Sequence, residues 1–310
     1  MKEDDFIRMF GEVHGSKPYS SDAEIVETEN GFDLYSIDGF SETEDFFTRT
    51  SPRRIGHNMA VAACADLLVC GVAPKIWLQS WNIDDSKGVE YYREIAVGVE
   101  EVLRHYGARC IGGDLGTSRP WSCTTLVQAH SPKPPVTRIA RERIPFDLYV
   151  TGPLGDANLA AFLKQSMPGF ELRAPVPSDA LFATDTSGGF FDALENFRRV
   201  NRGMELHIEL TDVLSEKLLK PDVPGLDPLW TLIGGVGEYE LLFAVPKGSC
   251  ADAVRIGEGS FSDTIENTFR FSYGGEPFGR MKNAPPDYRD ILSSRRIEAT
   301  RNYIREMRTK

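Results

Sequence analysis

Asp38, Asp114 and Asp185 each close an apolar run that reads as a strand: "DLYSID", "ARCIGGD" and "LFATD". Asp66 lies inside "IGHNMAVAACADLLVC", residues 55 to 70, where a carboxylate is costly unless something charged or hydrogen-bonding meets it. One aspartate at a strand end is ordinary, because the residue favours turns and helix N-caps. Four in related settings point to a divalent cation. Magnesium takes a shell of hard oxygens, commonly a few carboxylates completed by phosphate oxygens and water. Strand-end aspartates brought together would repel one another without such an ion and would cradle a triphosphate with it. Gly112, Gly113, Gly188 and Gly189 stand beside two of these acids, where backbone without a Cβ can approach phosphate and a helix start offers free N–H groups.

Those acids need strands to carry them and helices to press the strands together. "DAEIVETENGFDLYSI", 22 to 37, reads as two strands turning at Asn-Gly. Helical spacing follows over 55 to 70 and stops at Gly71, then a strand in "KIWLQSWNI" and a second helix closed by Gly107. "ARCIGGDLG" and "SCTTLVQAH" are further strands. The proline cluster "SPKPPV", 131 to 136, interrupts everything regular and divides the chain into domains 1–136 and 137–310. The second begins with "DLYVTG", continues through helices over 156–166 and 190–201, and ends in an arginine-rich helix, 291 to 309, whose charges read as a solvated face. Trp77 and Trp81 read as core or interface residues on their strand.

The formal net charge of −11 excludes a nucleic acid or anionic membrane held by bulk charge. No stretch approaches the length of a membrane span, and the acidic "MKEDDFIRMF" resembles no secretory leader, so a cytoplasmic protein is expected. Five cysteines without a C-x-x-C pair suggest neither zinc nor a disulfide framework. A Walker-type phosphate loop is absent: "GEVHGSK" has the wrong spacing, and "GGVGEYE" lacks the third glycine of a dinucleotide fingerprint. Any ATP site must be of another kind.

Seven segments, in order, resemble the superfamily of thiamine-monophosphate kinase, aminoimidazole ribonucleotide synthetase, selenophosphate synthetase and the hydrogenase-maturation dehydratase, most closely the kinase. They are "SDAEIV", "SIDGFSETEDF", "ADLLVCGVAP", "IGGDL", "YVTGPLG", "TDTSGGFFDAL" and "GGVGEYELLF". The resemblance implies a two-domain α/β fold, with an N-terminal sheet pairing across a homodimer and a C-terminal α/β sandwich. It also implies ATP and Mg2+ as cofactors and a phosphorylated small molecule as substrate. By position, Asp22, Asp38, Asp66, Asp114 and Asp185 become metal ligands, with Asp38, Gly112, Gly113, Asp114 and Ser187 at the nucleotide. Glu42, Asp45, Glu238 and Tyr239 fall to the substrate. No protein nucleophile is expected.

Some positions depart from the kinase pattern. Ser21 replaces the first acid of a paired-aspartate motif, Gly188 stands where D-I-S-D-G-L has its second acid, Asp45 replaces a histidine, and Glu238 replaces an aspartate. The glycine-rich "DTSGGF" leans toward the synthetase and dehydratase branches. Two alternatives to phosphoryl transfer therefore stand beside it: ATP-dependent activation of a carbonyl or amide oxygen, and a nucleotide-binding homologue without kinase activity.

Overall fold

The computed structural model describes residues 3–15, 19–43, 49–163, 165–219, 227–233, 236–249, 251–286 and 296–308. Helix α1 (Glu3–His14) precedes a hairpin of β1 (Glu24–Thr28) and β2 (Gly31–Ser41), in which Thr28 pairs with Gly31 around Glu29 and Asn30. Then come α2 (Pro52–Val69), β3 (Ile76–Ile83), α3 (Val89–Tyr106), β4 (Arg109–Thr117) and β5 (Ser122–Ser131). The first sheet runs β1-β2-β5-β3-β4. Only β3 and β4, joined by the helical crossover α3, run parallel.

One face of this sheet is covered by α2 and α3, and β5 shows why: Cys123, Thr125, Val127 and Ala129, two apart, are buried. The helices pack closely because each offers a glycine to the other. A Cβ on Gly56 would strike the Ile95 carbonyl, and one on Gly98 the Arg53 carbonyl. The sheet's far end is bare, with Ile111 (51%) and Leu115 (68%) exposed on the edge strand β4. Trp77 is fully buried, while Trp81 is partly buried beside Tyr92 and Trp121.

Past the prolines, the second sheet is built from β6 (Phe146–Val150), β7 (Phe182–Asp185), β8 (Met204–Glu209), β9 (Leu241–Pro246), β10 (Val254–Phe261), β11 (Thr268–Tyr273) and β12 (Glu276–Arg280). Its order is β12-β11-β8-β10-β6-β9-β7. All five residues of β6 are buried, the mark of a strand covered on both faces. Helix α4 (Asp156–Phe162) is shorter than the spacing predicts, and α5 (Phe190–Val200) agrees with it. Two short helices, α6 (Leu210–Val213) and α7 (Glu216–Leu219), follow β8, and α8 (Arg296–Arg308) closes the chain. α8 is more than a solvated face. Its Tyr303, Ile304 and Met307 join the core around Phe191 and Phe271, while Arg301 and Arg308 lie over Trp230 and Phe278.

The two sheets meet on α2. Its apolar residues share one core with Leu34 and Val127 of the first sheet and with Ala183, Leu241 and Phe243 of the second. That sandwich sets the end of β7 against a helix that carries Asp66. Cys64, Cys70 and Cys123 are buried free thiols and Cys110 is exposed; Cys250 lies outside the described residues.

Candidate functional site

Ser36 and Asp38 are two apart on β2 and so share a face. The Ser36 hydroxyl reaches Asp66 Oδ2 at 2.7 Å and Asp38 Oδ2 at 3.3 Å, linking the strand's acid to the helix's. Asp66 sits in the last turn of α2, where the helix dipole disfavours negative charge. From the other side comes Asp185, the last residue of β7 and 3% exposed. Ligand oxygens of Asp22, Asp66 and Asp185 lie within 4.8 Å of one another. Asp185 Oδ1 accepts from Ser187 Oγ at 2.8 Å; among the described residues its buried Oδ2 has no partner, nor has the hydroxyl of neighbouring Thr186.

Asp22, just before β1, has a side chain 2% exposed and is gripped by Arg138. The guanidinium donates from Nη2 to Asp22 Oδ1 at 2.6 Å and from Nε to Oδ2 at 3.1 Å; Nε also lies 3.1 Å from Thr184 Oγ1. Electrostatics follow from this crowding. Burial pushes the Asp38 carboxyl up to about 6 against the pull of Ser36. Burial and the Asp22 charge push Asp185 up to about 7, against Ser187 and Arg138. Asp66 is raised well above the carboxylate range by burial, then by Asp38, Asp185 and Asp22. Asp22, Asp66 and Asp185 share the field of one buried guanidinium, and Asp185 Oδ2 is left buried without a partner among the described residues. Their hard oxygens suit magnesium or manganese.

Beside the acids, Ser187 is exposed and Gly188–Gly189 lead into α5, whose N-terminus has no side-chain cap. Gly189 takes φ +92°, a left-handed conformation that favours glycine. Gly237 N donates to Ser187 O at 3.1 Å, and a Cβ on Gly237 would strike the Thr186 carbonyl, so the 236–240 segment is seated on this corner. Glu238 accepts from the N–H groups of Gly155 (2.9 Å) and Ala157 (2.7 Å), capping α4; burial raises its carboxyl to about 8 despite those bonds. Tyr239 holds φ +57° with its ring against Phe170, backbone strain of the kind that collects at functional sites. Glu240 is clamped by Arg173 at 2.7 and 2.6 Å and by Thr151 Oγ1.

The structure therefore brings Asp22, Asp38, Asp66 and Asp185 together, with Ser187 adjacent. It does not bring Asp114, Gly112 or Gly113 to them within one chain. Asp38 pairs with Thr125, Thr125 with Gln79, and Gln79 with Gly113, about 14 Å across three strand spacings. Asp114 is exposed on the edge strand β4. Glu42, just past β2, forms an ion pair with Lys87, and Asp45 lies outside the described residues. Sequence reasoning missed Ser36, Arg138, Thr184 and Asp192. A Cβ on Gly188 would meet the Asp192 carboxylate, so Asp192 fills the space an acid at 188 would need. Ser36 was findable from its spacing to Asp38; Arg138 pairs with a residue 116 positions away and leaves no local signal.

Residues 20–129 match the family model for AIR synthase related protein, N-terminal domain. In that stretch the chain is similar to AIR synthase related proteins. A thiamine-monophosphate kinase of Archaeoglobus fulgidus is 23% identical over 301 residues, 89% of this chain and 97% of that one. AaThiL complexed with AMPPCP and TMP superimposes with a TM-score of 0.72 at 21% identity, covering 89% of this chain and 94% of that one. HypE in a HypE–HypF complex gives 0.68 at 16% identity, covering 90% and 98%. The whole chain thus shares the two-sheet α/β fold of these structures. The stretch that matches the family model supplies Asp22, Asp38 and Asp66; the last residue of β7 is Asp185, and Ser187 lies in the turn that follows it.

Proposed function

We propose that the chain is a magnesium-dependent, ATP-using phosphotransferase resembling thiamine-monophosphate kinase, acting on a phosphorylated small molecule. The observation that carries this reading is the convergence of Asp22, Asp66 and Asp185 from three separated elements around an unpartnered buried carboxylate oxygen. The likeness to the Archaeoglobus kinase over most of both chains supports the reaction class. Bound there, magnesium would neutralise charge on the transferring phosphoryl group.

Asp66 and Asp185 are the ligands this reading assigns first, with Asp38 held beside Asp66 through Ser36. Ser187 and the uncapped start of α5 would meet phosphate oxygens. Phosphoryl transfer requires positioning more than a nucleophile from the protein, and the site offers acids, hydroxyls and backbone amides suited to that task. The segment from Glu238 to Glu240, anchored on α4 and Arg173, would shape the acceptor side. In this reading residues 1–136 form an ATP- and magnesium-binding, dimerising domain and 137–310 complete the site, in a cytoplasmic homodimer. The bare edge β4, with exposed Ile111 and Leu115, is suited to pairing with a second copy, and Asp114, Gly112 and Gly113 would then lie at that junction. Among the described residues no helix is long and apolar enough to cross a membrane.

Gly188 favours a second reading, ATP-dependent activation of a carbonyl or amide oxygen, because the kinase pattern has an acid there. ADP release measured across thiamine monophosphate and other phosphorylated acceptors, with and without magnesium, separates the two. Release dependent on both thiamine monophosphate and magnesium supports phosphoryl transfer. ATP binding with no turnover on any acceptor refutes both and leaves a nucleotide-binding homologue.

A further inference from the structure

Arg138 lies in the connection between the sheets with its backbone pinned on both sides: its N–H donates to Ser20 O at 3.0 Å, and its carbonyl accepts from Asn201 Nδ2 at 2.9 Å. Its side chain is 14% exposed and cannot lose its charge. Both oxygens of Asp22 are engaged by the guanidinium fork, and Oδ1 also accepts from Thr184 Oγ1 at 3.1 Å. A carboxylate offers about four lone-pair positions, so little of Asp22 is left for a metal. A divalent ion against Asp22 would also stand beside a fixed positive charge.

We propose that Arg138 is a resident cation of the acid cluster, occupying Asp22 in place of one divalent ion. The cluster then takes up metal through Asp66, Asp185 and Asp38. Asp22 serves as a strut, tying the first sheet to Thr184 of the second through the arginine. This proposal rests on reading the cluster as a divalent-cation site.

The test counts manganese ions bound per chain, without nucleotide, by the loss of the free Mn2+ paramagnetic resonance signal. Arg138→Gln should bind one more ion than the native chain, or bind Mn2+ at least about tenfold more tightly, because Asp22 is released as a ligand. If that variant fails to fold, the neutral pair Asp22→Asn with Arg138→Gln decides the matter. It should keep native manganese stoichiometry and affinity, since Asp22 holds no metal in the native chain. Unchanged binding in folded Arg138→Gln, or lost binding in the double variant, overturns the proposal while leaving the cation site intact. No manganese on the native chain overturns both.

Discussion

Raising the pH of the metal-free protein from about 5 to about 8.5 should destabilise it, and magnesium should remove much of that loss. The magnitude follows from Asp185. A carboxyl that titrates at about 7 in the folded chain and near ~3.9 unfolded binds more protons folded than unfolded between those values. Its stabilising contribution is complete below the unfolded value and is lost as pH rises through the folded one, about 4 kcal/mol at most. Asp38, raised to about 6, acts in the same direction and finishes earlier. At roughly 2–4 °C per kcal/mol for a large domain, the melting temperature in chelator should drop by roughly 10 °C across the window. Thermal melts in chelator and in millimolar magnesium, followed by circular dichroism, measure it. Asp185→Asn separates the cluster from the charge of the molecule as a whole: the amide keeps the Ser187 partner, cannot ionise, and should flatten the chelator curve. A chelator curve that is level or rising from about pH 5 to pH 8, or a slope unaltered by Asp185→Asn, refutes the convergence of buried carboxyls argued from the structure.

Gly237→Ala places a methyl on the Thr186 carbonyl and should lower stability by about 1–3 kcal/mol in urea denaturation; it should also reduce magnesium-induced stabilisation, because the Asp185 corner must shift. Glu238→Gln should change urea stability at neutral pH by under about 1 kcal/mol, since the native carboxyl holds its proton up to about 8, whereas Glu238→Ala strips two N–H groups of their acceptor and should cost about 2–3 kcal/mol. Gly188→Asp should be destabilising alone and tolerated with Asp192→Gly, with a coupling above about 1 kcal/mol in a double-mutant cycle of thermal melts.

Elements with strong local signatures were legible in the sequence. The hairpin signalled by Glu-Asn-Gly at 29–31, the helix ending near Gly71 and the helix closed by Gly107 announce themselves through turn chemistry and period, and the structure has all three, with the hairpin turning at Glu29–Asn30. Asp38, Asp66 and Asp185 were legible as acids in costly places. What local pattern could not supply was the partner of each. Arg138 on Asp22, Asp192 under Gly188 and Arg173 on Glu240 are contacts made by the packing of sheets and loops. Asp114 shows the converse: its strand-end signature matches that of Asp38, yet sheet order sets it on the far edge. The resemblance assigns Glu238 to a substrate, and its carboxyl oxygen also accepts from the N-terminus of α4.

Because α2 is the surface on which both sheets close, Asp185 joins Asp38 and Asp66 only when β7 seats against it. The crowding of Asp38 and Asp66 already burdens the first half, and the docking of the second half adds the repulsion of Asp185. A cation bound there would relieve that repulsion and hold the halves together, and to the extent that the contact forms after the folding transition state it would slow their parting. The protein's lifetime in its native form would then depend on how much free divalent metal surrounds it.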